Sequence, residues 1–235
     1  MQSYVTYQMK NYIRSLLFIP PMTLYVIWII VQYTYGNVDI LSSYSNSSII
    51  LYIIATWITM NIFQMEEKAE KHILLMHLQQ TEHFLYGKWI AGVAMTLPLI
   101  MVAHFYPLIM KSFNAEVNVY QHFLALYSHI GLVLLGILTG SFFTAANSIK
   151  AKYVWLLIAV TIALSLAYSQ LADLLPKALS WILWILPPLR YFYEPLKEDV
   201  INGLPSGFLA SFSFAIFYMI IAAIIILKMF MKHDK

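Results

Sequence analysis

Six stretches of this chain are apolar over lengths that suit a membrane span, and that pattern removes most soluble folds from consideration. A helix needs roughly 20 apolar residues to cross the hydrocarbon core. The stretches run from about Ser15 to Tyr35, Ser48 to Gln64, Lys88 to Met110, Gln121 to Ala146, Tyr153 to Ala172 and Ser206 to Met229. The chain is 61% hydrophobic and only 11% charged, against about 25% charged in an ordinary soluble domain. One soluble core cannot hide that much apolar surface. The expected fold is therefore an all-α integral membrane protein, a single domain over residues 1–235 with six transmembrane helices. The absence of cysteine excludes disulfides and thiolate metal sites.

An even number of spans puts both termini on one side. Lys10, Arg14, Lys68, Lys71, Lys88, Lys150, Lys152, Lys228, Lys232 and Lys235 fall on the terminal side, and Lys111, Lys177, Arg190 and Lys197 on the other. The positive-inside rule makes the side with ten cations the cytoplasmic one. Both termini are then cytoplasmic in a multi-pass protein of the cell membrane. The first span is not a cleaved signal peptide. Pro20-Pro21 interrupts it, no small-residue cleavage site follows, and the apolar run is too long.

Two segments flank the spans without crossing. Over residues 1–14, Tyr4, Val5, Met9, Tyr12 and Ile13 alternate with Gln8, Lys10, Asn11 and Arg14 near helical spacing. That suits an amphipathic helix lying in the headgroup layer. Residues 174–205 carry an apolar run, Leu179–Leu186, too short to cross. Pro187-Pro188 ends it, and Trp181 and Trp184 are residues of the membrane interface. The expectation is a re-entrant pair of short outer helices. A seventh span broken by the prolines is the alternative, but it would send Lys228, Lys232 and Lys235 to the other side.

Motifs of soluble chemistry are missing. There is no GxxxxGK[ST], HExxH, GxSxG or GxGxxG, so the chain does not hold ATP by a P-loop. Nothing points to nucleic acid. His72, His77 and His83 are five and six residues apart, which does not stack them on one helical face for a metal. His104 and His129 lie within spans three and four. Ionisable groups in a span are functional candidates, with helix-to-helix hydrogen bonding as the alternative. Asp173 reads as a boundary residue. Gly136 and Gly140 form a GxxxG in span four, with Thr144 one step on, and allow close helix packing within one subunit or between two.

Residues 65–86, MEEKAEKHILLMHLQQTEHFLY, stand out from this apolar background. Glu66 and Glu67 suit the positive end of a helix dipole. Glu67 and Lys71 form an i,i+4 pair. Leu74, Leu75 and Leu78 make an apolar stripe, with Glu70, His77 and Gln80 largely off it. Gln79-Gln80-Thr81 is a candidate break, Gly87 a hinge, and Lys88 and Trp89 an anchor at the start of span three. A two-faced helix on the cytoplasmic surface suits docking of a soluble partner.

This arrangement resembles the membrane subunits of ABC transporters of the ABC-2 exporter type. Those have six spans and an amphipathic N-terminal helix. They also have a coupling helix after span two that begins with acidic residues and ends in a Gly-Lys entry to span three. The matching residues here are Glu66-Glu67-Lys68, Ile73-Leu74-Leu75-Met76 and Gly87-Lys88, with 174–205 as the outer helices. Gln79-Gln80-Thr81 departs from the Pro-Ser-type turn of many relatives. The resemblance implies a chain that is not itself an enzyme. A second permease subunit, identical or paralogous, would complete the pathway. Two separate ATPase chains would bind ATP and magnesium and grip the coupling helix through Glu66, Glu67, Glu70, Lys71, Leu74, Leu75, His77 and Leu78. His104, His129, Tyr106 and Met101 are the pathway residues that go with this reading. Small Tyr- and Ile-rich permeases of this kind resemble those of Gram-positive bacteria that export amphipathic or antimicrobial peptides, phenol-soluble modulins among them. Two other classes stay open. One is an intramembrane CAAX-type protease using Glu66-Glu67 with His104 and His129, although Lys71 stands where that signature has arginine. The other is a non-catalytic membrane immunity or scaffold protein.

Overall fold

The computed structural model describes residues 1–78, 80–145, 151–196, 204 and 207–233. The expected span limits at Ala146 and Ser206, Gln79 of the expected break, and Lys150, Lys197 and Lys235 of the charge count lie outside them. In chain order the helices are α1 (Gln2–Arg14), α2 (Ile19–Tyr33), α3 (Ile40–Gln64), α4 (Lys68–His77), α5 (Thr81–Ile109), α6 (Val119–Ala145), α7 (Ala151–Leu166), α8 (Tyr168–Leu174), α9 (Arg190–Tyr193) and α10 (Phe208–His233). Short 3-10 helices cover Lys177–Ile185 and Glu194–Leu196. Among the described residues four helices, α3, α5, α6 and α10, are each long and apolar enough to cross a membrane. The count rises to six when two bent pairs are each taken as one span, α1–α2 at 77° and α7–α8 at 70°. The molecule is an all-α membrane protein.

The centre is α3, which packs most extensively along α6 and next along α5. It is longer than the apolar run predicts, starting at Ile40 and not near Ser48. Asp39 caps it, its carboxylate accepting from the Ser42 N–H at 2.8 Å. The serines that make this stretch look like a loop turn their hydroxyls onto their own helix. Ser43, Ser47 and Ser48 donate to the Ile40, Tyr44 and Ser45 carbonyls at 2.9, 3.0 and 2.8 Å. Small satisfied side chains then allow close approach by α6. A Cβ on Gly136 would sit 2.7 Å from the Tyr52 carbonyl oxygen, and one on Gly140 2.8 Å from that of Thr56. The GxxxG therefore joins two helices of one chain.

Pro20 and Pro21 occupy the first turn of α2, where the missing N–H costs nothing; they start that helix and do not interrupt it. Leu16, at φ 59° between α1 and α2, belongs to the turn that produces their bend. At one end of the bundle, Tyr4 of α1, Phe84 and Leu85 of α5, and Ile226 and Phe230 of α10 form one cluster, covered by Leu74, Leu75 and Leu78. The start of α1 and the end of α10 thus share a face, called here the terminal face. At the far end the loops after α2 and α5 are zipped by a parallel bridge. The Val38 N–H donates to the Ser112 carbonyl at 2.9 Å, and the Asn114 N–H to that of Val38 at 3.1 Å.

Candidate coupling site

Residues 65–86 are not one helix. The helix after α3 ends at His77, and Thr81 already belongs to the 29-residue α5. Gly87 is no hinge. It lies inside α5, where a Cβ would come 2.3 Å from the Tyr4 ring, so its lack of a side chain lets α1 lie against α5. Lys88 is not an interfacial anchor, because α5 begins two turns earlier and buries it.

The burial of Lys88 defines the site. Its side chain and that of Glu66 are 1% and 2% exposed and meet at 2.8 Å. The Lys88 ammonium also donates to the Ile62 carbonyl at 2.9 Å. It lies 4.8 Å from the Phe84 ring centroid and 5.1 Å from that of Phe63. A buried ion is tolerable only with such a full set of partners. Glu66 in turn accepts from the Gln8 amide of α1, which also donates to the Tyr4 hydroxyl at 2.9 Å. Glu70 accepts from the Tyr7 hydroxyl. That hydrogen bond is the main cause that raises the Tyr7 phenol to about 12. Lys71 stands over the Phe230 ring at 4.8 Å, and Phe84 stacks on Phe230 at 5.5 Å. One connected node therefore ties α1, the α3–α4 junction, α5 and α10 together.

The inward face of α1 is Tyr4, Gln8 and Tyr12, so Gln8, which spacing assigns to the polar side, is fully buried. Of the eight residues expected to grip a partner, Glu66 has its side chain buried, Glu70 is bound to α1, and Leu74, Leu75 and Leu78 pack inward on the Tyr4–Phe84–Phe230 cluster. Lys71 sits over the aromatic rings of that cluster. Glu67 and His77 remain on the exposed side, with the His77 ring held on the Ile73 carbonyl at 2.8 Å. Two residues that spacing did not single out as outward-facing join them: Ile73 and Met76 are 53% and 74% exposed.

The expected pathway residues divide. His104 and His129 meet around the Tyr44 ring, at 5.7 and 5.9 Å between centroids. His129 is fully buried, bridging the Ser47 hydroxyl at 2.9 Å and the Ala125 carbonyl at 2.7 Å. His104 reaches His122, unmarked in the sequence, at 3.3 Å. Tyr106 packs by Tyr33, and Met101 is exposed on the outer surface of α5. Met101 does not join the histidine pair. The carboxylates are also remote from the histidines: Ser47, which holds His129, is about 25 Å along α3 from its end at Gln64, at 1.5 Å per residue.

No protein-family model, curated protein or solved structure matches this chain.

Proposed function

We propose that the chain is the membrane subunit of an ATP-driven exporter of the ABC-2 type, resident in the cell membrane with both termini cytoplasmic and worked by a separate ATPase. The observation that carries this reading is the Glu66–Lys88 node. A short exposed helix, α4, is fastened to the ends of two central helices and to α1 by a buried, fully partnered ion pair. Displacement of α4 is then displacement of α3 and α5, which is what a mechanical input requires. The outward face of α4 for the partner is Glu67, Ile73, Met76 and His77. ATP and magnesium belong to the partner, present in two copies. A second permease subunit, identical or paralogous, completes the pathway, and amphipathic peptides are the cargo class.

The protease alternative needs Glu66 and the histidines in one site, and the length of α3 keeps them apart. The test is co-purification with an ABC-type ATPase encoded beside this gene. Ile73→Glu with Met76→Glu should abolish the complex while leaving the thermal stability of the chain unchanged. A complex that survives both changes would remove α4 as the docking element.

A further inference from the structure

A cavity of about 550 Å³ opens between α6, α7, α10 and the 3-10 helix Lys177–Ile185. It is of the size that holds small ligands, about 300–1,000 Å³. Its lining is almost wholly apolar, and apart from the Trp184 indole at one end its polar side chains are engaged in hydrogen bonds. Tyr218 donates to the Ile185 carbonyl at 2.8 Å. Thr139 pairs with Tyr52 at 3.1 Å and with the Leu135 carbonyl at 2.9 Å. Thr161 donates to the Leu157 carbonyl at 2.8 Å. An occupant therefore meets almost only apolar surface along this groove, which suits hydrocarbon. Along α10 the lining runs from Phe214 to Ile226, about 18 Å at the helical rise. One leaflet of a bilayer is about 15 Å of hydrocarbon, half of the roughly 30 Å core.

The far-face end of the groove is different. A second cavity of about 180 Å³ shares Trp184, Leu186 and Phe214 with it and adds Arg190, Tyr168 and Tyr191. The Arg190 guanidinium lies 4.2 Å from the Tyr168 ring centroid and donates to the Tyr191 hydroxyl at 2.7 Å. Glu194, one helical turn on, acts on it electrostatically, but the described residues place no carboxylate at ion-pair distance. A guanidinium braced on aromatic rings at the head of an acyl-length groove is a recognition element for an anionic head carrying a hydrocarbon tail.

We infer that this groove is a specific site for an anionic phospholipid of the far leaflet. The acyl chain lies between α7 and α10 against α6, and the phosphate meets Arg190. The inference is independent of the exporter reading. Charge at one end and an almost wholly apolar wall along the rest match a lipid better than an amphipathic peptide, whose backbone and polar face would need partners in the groove.

The test uses the full-length chain in non-ionic detergent, with radiolabelled phosphatidylglycerol and phosphatidylcholine as probes. Expected is at least a tenfold preference of the wild type for phosphatidylglycerol. Arg190→Gln should lose that preference, and Arg190→Lys should keep most of it. Ala222→Phe, which fills the groove, should lose retention of both lipids without lowering the melting temperature. Three results overturn the inference: equal retention of the two lipids by the wild type, unchanged phosphatidylglycerol binding by Arg190→Gln, or displacement of the lipid by an amphipathic peptide that Ala222→Phe also blocks.

Discussion

Helices α3 and α10 are nearly equal in length, at 25 and 26 residues, and opposite in almost everything else. In the most apolar window of each, 61% of α3 is buried against 11% of α10. Yet α10 is a run of Phe, Ile, Leu and Ala, while α3 carries serines, threonines and tyrosines along its buried side. In water the more apolar helix would be the core. In lipid the hydrocarbon satisfies Ile and Leu as well as another helix does, so apolar content no longer selects the inside. What selects it is the need of polar groups for partners and the close approach that small residues permit. Ser47 with His129, Ser48 with Ser128, and Tyr52 with Thr139 are all such partnerships across the α3–α6 seam.

Breaking the interior should cost far more than altering the exterior. The largest effect is expected at the end of α3. Lys88→Met leaves Glu66 buried without its cation and should destabilise by about 3–5 kcal/mol. Adding Glu66→Gln to it should recover a large part of that loss, read as melting temperature in detergent. Next is Gly136→Val, whose new atoms meet the Tyr52 carbonyl and should cost about 1–3 kcal/mol by overpacking. Ser47→Ala, which removes one partner of His129, should cost about 0.6 kcal/mol, the average for a hydrogen bond between membrane helices. The smallest effect belongs to α10. Ala223→Val should stay within about 0.5 kcal/mol. If it costs as much as Gly136→Val, α10 is a core helix and the contrast fails.

Much of this architecture was legible in the chain. The apolar runs gave the membrane class, Gly136 and Gly140 marked a close helix contact, and of the expected break Gln80 lies between the end of α4 at His77 and the start of α5, to which Thr81 already belongs. Two things were not legible, each for its own physical reason. The serines before Leu51 look like a loop because their hydroxyls compete for backbone in water, whereas here Ser43, Ser47 and Ser48 bond their own helix and the last two meet α6. Glu66 and Lys88 carry no shared period and are joined by tertiary packing through a reversal of the chain, so spacing could not pair them. Glu66 is therefore a lock and not a contact surface, and Gln8 lies on the inward side of α1.

Because the chain has no cysteine, the fastening of α4 can be measured with two introduced spin labels. Met76 on α4 and Ile109 at the far end of α5 are each 74% exposed and tolerate them. Electron–electron resonance distances between Met76→Cys and Ile109→Cys should form one narrow distribution in the otherwise wild-type chain. The same distribution should broaden when Lys88→Met is added. A distribution left equally narrow by Lys88→Met would mean that the Glu66–Lys88 pair does not hold α4 to the spans.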